Sequence, residues 1–161
     1  MAQVDMFLKL DGVDGESQDH KHKGEIHIES FSFGAHQMGT GHAGGGSGAG
    51  KVALTDINVT KLVDKASPKL LLYCANGKHI PSGLLTVRKA GETPVEYLKI
   101  KLTDVLVSSF TDAGHGNALV PESLTLNYAK IEYAYQEQGA DGKPAGSPQT
   151  MGWDVKANKK L

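Results

Sequence analysis

The sequence lacks the features that mark several large classes of protein. Cys74 is the single cysteine in 161 residues, so no disulfide can form within the chain. Its apolar neighbours predict a small buried residue rather than a nucleophile. No apolar run approaches the roughly 18 residues of a membrane-spanning helix, so we expect no membrane insertion. Lys and Arg number 17 against 18 Asp and Glu, with both signs mixed along the chain, which argues against nucleic-acid binding.

The N-terminus, MAQVDMFLKL, also lacks the marks of a signal peptide. It has no basic start, Asp5 and Lys9 interrupt it, and its apolar residues alternate with polar ones. The sequence therefore predicts a protein that is built for the cytoplasm. Its length predicts one domain, residues 1–161.

Catalytic and metal-binding patterns are missing as well. No G-x-S-x-G turn is present, and the acidic residues Asp112 and Glu122 are predicted to lie on a solvated sheet surface. His20 and His22 could share one face of a strand, yet no acidic or thiol ligand follows at the spacing of a closed metal site. We therefore predict solvated loop histidines, no enzyme activity, no catalytic residue, no metal and no cofactor.

Glycine, in contrast, is abundant, and it clusters in GGGSGAGKV at residues 44–52. Gly45, Gly50 and Lys51 match the G-x-x-x-x-G-K pattern of a phosphate-binding loop. That loop needs a Ser or Thr after the lysine and then a helix, whereas Val52 follows here and the next residues alternate as a strand does. We therefore interpret residues 37–50 as an extended loop with no nucleotide site. A nucleotide-hydrolysing enzyme survives only as the literal interpretation of the motif.

The rest of the chain is predicted to form strand after strand, with residues 122–136 as the longest. Apolar residues alternate with polar ones in seven segments. These segments are 4–10, 24–34, 85–90, 95–102, 105–110, 122–136 and 151–156. Several of them change phase midway, which suits strands that bend, as in a small barrel or a curved two-sheet sandwich.

The segment 24–34 contains one such change of phase. Ile26 and Ile28 have even numbers, whereas Phe31 and Phe33 have odd ones, so both pairs can face one core only if a β-bulge lies near Glu29–Ser30. Ser32, between the two phenylalanines, is then predicted to face away from the core. The same change of phase, which we call a slip, is predicted near Tyr97.

One helix stands out, at about residues 67–76. Ser67 is predicted to cap it, Pro68 suits its first position, and Gly77 suits a left-handed residue at its end. Leu70, Leu71 and Cys74 are predicted to mark its buried face.

The whole chain resembles the Hcp family, the tube subunit of the bacterial type VI secretion system. The likeness runs from end to end and rests on six segments together. These are VDMFLKLDGVDGES (4–17), GGGSGAGKV (44–52), ASPKLLLYCANGKHIPSGLLTVRKAG (66–91), VEYLKIKLTDVLVSS (95–109), ESLTLNYAKIEYAY (122–135) and MGWDVKANKK (151–160).

This resemblance implies a mainly β fold, a two-sheet β-barrel of bent antiparallel strands with one short flanking helix. It implies a homohexameric ring whose copies stack into a tube, which a contracting sheath expels with a spike protein at its tip. Effector toxins would travel in the channel, and the protein would leave the cytoplasm without a signal peptide.

Ser32 is the candidate channel-lining residue under this resemblance. The candidates for the subunit-interface loop are Gly44, Gly45, Gly46, Ser47, Gly48, Gly50 and Lys51. The alternative is a small β-barrel that binds a ligand and has no role in assembly.

Overall fold

A computed structural model describes residues 4–39, 50–92 and 94–161. Within these ranges the chain forms eleven strands and one helix. They are β1 (Val4–Leu10), β2 (Ile26–Ile28), β3 (Ser30–Ser32), β4 (Ala35–His36), β5 (Ala53–Leu54), β6 (Ile57–Leu62), α1 (Ser67–Asn76), β7 (Ile80–Lys89), β8 (Glu96–Asp112), β9 (Pro121–Tyr135), β10 (Gln149–Asp154) and β11 (Lys159–Lys160).

The predicted mainly β fold with two sheets and one helix is confirmed. Nine strands form one antiparallel sheet in the order β11-β10-β9-β8-β7-β1-β2, and β6 joins β9 and carries β3 on its far side. β4 and β5 form the second sheet, a short ribbon. The predicted barrel is not one closed path of paired strands, because β2 and β11 end the path within the described residues; the chain passes from β2 into β3 at Glu29, whose N–H donates to Thr60 C=O of β6 at 2.8 Å. The sheet instead curves round the core until β2 lies beside β6.

Two long strands, β8 and β9, run through the whole sheet. Two strands, 95–102 and 105–110, were predicted where the structure has the single strand β8. Residues 122–136 were predicted to form the longest strand, whereas β8 has 17 residues and β9 has 15. Asp104 explains the first difference, because its φ of 57° bends β8 without ending it. The buried positions change phase there, from Ile100 and Leu102 to Val105 and Val107. The bend therefore lets a long strand follow the curve of the sheet round the core.

The predicted slip near Tyr97 is confirmed as a bulge. Val87 pairs with Leu98 and Arg88 pairs with Glu96, so Tyr97 is the extra residue. The slip predicted at Glu29–Ser30 takes another form, because the chain changes partners there. β2 pairs with β1 before this point, and β3 pairs with β6 after it.

Helix α1 matches its predicted bounds, and Gly77 ends it in the left-handed region with a φ of 70°. Its predicted cap and its predicted face are both partly wrong. Ala66 occupies the N-cap, and Ser67 is the first helical residue and is buried. Leu71 is about half exposed, because the buried face follows Ser67, Leu70 and Tyr73. Cys74, predicted to be buried, is only partly so.

Candidate functional site

Four neighbouring strands present a surface of hydroxyl and amide side chains, which we name the hydroxyl face. The strands are β3, β6, the first half of β9 and the second half of β8. Their registers align two rows of side chains across the sheet, and alternation places both rows on the side away from the core. The rows are Ser32–Asn58–Thr125–Ser109 and Ser30–Thr60–Ser123–Thr111.

None of these eight side chains carries a charge, and several bond to one another. Ser30 bonds to Thr60, the Ser123 hydroxyl donates to Asn58 Oδ1 at 3.2 Å, and Ser109 Oγ lies 2.6 Å from Thr125 Oγ1. A hydroxyl can donate one hydrogen bond and accept two, so the members of these pairs keep hydrogen-bonding capacity for a further partner. The result is a hydrogen-bonding wall of uncharged side chains, bordered at one corner by the Asp56 carboxylate, to which Ser108 donates at 2.6 Å.

Ser32 lies at the β3 edge of the hydroxyl face and is exposed. Phe31 and Phe33, on either side of it, are partly buried and pack against the core. The other residues of the face were not predicted, because alternation fixes a side of one strand and only register shows which strands lie together.

Two edges of the hydroxyl face lack a strand partner among the described residues. β3 bonds to β6 on one side only. Beyond Val105, β8 bonds to β9 but no longer to β7. A sheet with two such edges offers unpaired N–H and C=O groups at both sides.

The candidate loop residues divide into two groups. Gly44, Gly45, Gly46, Ser47 and Gly48 lie outside the described residues. Gly50 and Lys51 are described and exposed, and β5 and β6 follow them. This agrees with the strand alternation rather than with the helix that a phosphate-binding loop requires.

Gly50 borders an apolar groove near the point where β5 leads into β6. The groove is lined mainly by side chains of the β5 region and β10, among them Val52, Leu54, Met151 and Trp153. An apolar ridge lies where β6 ends and β9 begins. It consists of Leu62, Val63, Leu119 and Val120, with Leu119 exposed by 75%.

Next to this ridge lies an ion pair that was not predicted from the sequence. Lys61 Nζ is 2.5 Å from Glu122 Oε2, and both residues are buried, at 0% and 1% exposure. Lys61 also donates to Asp64 at 2.9 Å and to Ser67 at 3.1 Å. Burial raises the pKa of Glu122, and the bonds from Lys61 and Ser67 oppose that rise. The prediction that Glu122 lies on a solvated surface is therefore wrong.

His22 is likewise buried rather than solvated, at 7% exposure. Its Nδ1 is 2.8 Å from Glu25 and its Nε2 is 2.6 Å from Glu96. The described residues contain no group of three His, Cys, Asp or Glu side chains placed to hold a metal. None of their helices is long and apolar enough to cross a membrane.

Known proteins resemble this chain along nearly its whole length. A family model described as "Type VI secretion system effector, Hcp" matches residues 7–135. Protein hcp1 of Pseudomonas aeruginosa is 47% identical over 157 residues, which are 96% of this chain and 97% of that protein. The crystal structure of Hcp1 from Salmonella typhimurium has a TM-score of 0.83 at 40% identity and covers 99% of this chain and 100% of its own. A structure described as a type six secretion system protein has a TM-score of 0.92 at 32% identity, covering 98% and 99%.

Proposed function

Since the chain belongs to the Hcp family of secreted type VI secretion tube proteins, we propose that six copies close into a ring and that rings stack into a tube. The hydroxyl face carries this proposal, because it combines a neutral wall with two unpaired sheet edges. Effector toxins are the proposed cargo, a spike protein and a contractile sheath are the proposed partners, and no catalytic step is assigned. The protein would be cytoplasmic until it is expelled.

Ring closure is supported by the two edges. β3 lies at one side of the hydroxyl face and β8 at the other, so one copy can set its β3 edge beside the β8 edge of the next. Such a contact joins different surfaces of the two copies, and it closes into a ring if the rotation between copies divides a full turn. Native mass spectrometry at micromolar concentration should then show a hexamer. A monomer that persists across salt and protein concentration would favour the small ligand-binding barrel instead.

The channel wall is the proposed place of the hydroxyl face. If β3 edges meet β8 edges, the face becomes continuous round the hole, and Ser32 lies at each junction. A neutral wall of hydroxyls can bond to cargo through many weak contacts that exchange with water at little cost.

Ser32→Arg tests this placement, because it adds bulk and charge at every junction without changing core volume. The hexamer should persist, while the amount of a co-expressed effector that purifies with the ring should fall. Thr150→Arg is the matched control, since Thr150 is exposed on β10, away from the hydroxyl face. If the two variant rings bind equal amounts of cargo, Ser32 does not line the channel.

Head-to-tail stacking is supported by the ridge and the groove. Both are apolar. The ridge lies where β6 ends and β9 begins, whereas the groove lies beside β5, which precedes β6, and β10, which pairs with the last part of β9. A ridge on one ring that fits a groove on the next repeats without limit, which is the geometry of a filament. Exposed Leu119 is the residue best placed to enter the groove near Met151.

Paired cysteines test the stacking contact in a Cys74→Ser background. Leu119→Cys combined with Met151→Cys should form disulfide ladders between rings under mild oxidation. Leu72→Cys combined with Met151→Cys is the control, because Leu72 is similarly exposed but lies on α1. Tubes that form without the Leu119–Met151 cross-link would place the contact elsewhere on the ring.

A further inference from the structure

Residues 14–25 form a segment that we name the strap, which lies across β1, β7 and β8. Two backbone hydrogen bonds join its ends. Gly15 N–H donates to Gly24 C=O at 2.8 Å, and Ser17 N–H donates to Glu25 C=O at 3.0 Å. Phe7 of β1 lies beneath the strap and is only 3% exposed. His20 and His22 in this segment were predicted to be solvated loop residues, yet the strap is docked at two points.

The first docking point is His22. Its ring lies flat on Phe7, with centroids 4.3 Å apart and planes within 9°. Its two nitrogens reach two carboxylates on different elements, since Glu25 belongs to the strap and Glu96 to β8. One imidazole therefore ties the strap to the sheet.

The second docking point is Arg88 of β7. Its guanidinium bonds to Asp19 of the strap at 2.6 and 3.0 Å and to Asp5 of β1 at 3.1 Å, and it covers Phe7 at 5.0 Å. Arginine keeps its charge at every physiological pH. This point therefore holds the strap whatever the pH.

His22 differs, because both of its nitrogens can donate only in the charged form. The neutral ring has one N–H, so its other nitrogen turns a lone pair towards a carboxylate oxygen 2.6 or 2.8 Å away. We propose that His22 is a pH-operated clamp, which fastens the strap to β8 when protonated and releases it when neutral, while Arg88 keeps the strap attached.

Every element packed against His22 contributes charged or titratable side chains near it. They are Glu25, Asp19, Lys21 and Lys23 from the strap, Asp5 from β1, His27 from β2, Arg88 from β7, and Glu96 and Lys99 from β8. Burial opposes ionisation of Glu96, but the bonds from His22 and Lys99 outweigh it and lower the pKa of Glu96. Glu96 thus stays an anion through the pH range in which histidine changes charge, between about pH 5 and 8.

Amide hydrogen exchange of residues 15–24 tests the clamp in the full-length protein. Rates are measured at about pH 6 and about pH 8.5 and divided by the rates of an unstructured peptide of the same sequence, which removes the intrinsic pH dependence of exchange and leaves the opening of the strap. We expect strap opening to increase about tenfold at the higher pH, which corresponds to about 1.4 kcal/mol. Amides of β9 should change little, because the sheet stays folded.

Three variants complete the test. His22→Gln should give high opening at both pH values, because the amide cannot be protonated. Glu96→Gln should also remove the pH response, because its amide can donate to the neutral ring or accept from the charged one, so the clamp is tested even if one variant is unstable. His20→Gln is the control, because His20 is exposed on the same strap and should behave as the parent does. A parent strap with equal opening at both pH values, or a His20→Gln strap that loses the pH response, would overturn the clamp.

Discussion

Removing one partner of the buried Lys61–Glu122 pair should destabilise the fold severely. Lys61→Met leaves Glu122 at 1% exposure without its cation, and an uncompensated buried charge costs about 3–5 kcal/mol. With a urea m-value of about 2 kcal/mol/M, the unfolding midpoint should fall by about 1.5–2.5 M. The cost should shrink as pH falls, because burial already raises the pKa of Glu122 and a protonated carboxyl is easier to bury.

Replacing both partners should recover most of that loss. Lys61→Met with Glu122→Leu fills the same space with apolar groups, and such exchanges are neutral or stabilising by about 1–4 kcal/mol. Urea unfolding of the parent, the two single variants and the double variant closes a mutant cycle at one fixed protein concentration. Two results would contradict this reasoning. One is that each single variant loses less than about 1 kcal/mol of unfolding free energy, and the other is that the double variant loses the sum of the two. Either would show that Lys61 and Glu122 do not form a buried pair of charges that depend on each other.

Two further predictions concern other parts of the fold. Gly15→Ala should destabilise the protein by about 1–3 kcal/mol in urea unfolding, because its Cβ would lie 2.5 Å from the Glu25 carbonyl oxygen; Gly116→Ala, with open space around it, is the control and should unfold as the parent does. Burial, with a smaller contribution from Asp56, raises the pKa of Tyr128 to about 12. Stability should therefore fall as pH rises from about 10 towards 12, and Tyr128→Phe, tested by thermal unfolding, should remove that part of the slope.

The strands and the helix were predictable because their signals are local. Alternation placed β1 and β9 and the second half of β7, although it missed residues 80–84, and Pro68 with Gly77 bounded α1. The direction of Ser32 followed from the same rule. Its neighbours Asn58 and Thr125 did not, since register depends on which strands pair.

The buried ion pair had a signal that was misjudged. Lys61 shares the parity of Ile57 and Val59, and Glu122 shares the parity of Leu124 and Leu126, so each charge lies on the apolar side of its strand. Opposite charges at such positions suggest mutual burial. The sequence held no comparable signal for His22, because it lies in a loop, where no period indicates which side is covered.

The order of the strands also sets the order in which the chain can fold. Asp112 pairs with Glu122 only 10 positions away (122 − 112), whereas Val4 pairs with Lys89 across 85 positions (89 − 4). Closing the longer loop costs about 2 kcal/mol more in chain entropy, so the β8–β9 hairpin can nucleate the sheet early and β1 docks late. The strap rests on β1, and its clamp needs Glu96 of β8 in place. Closure of the strap is therefore a late event in folding, and protection of its amides would report that the chain has completed its sheet.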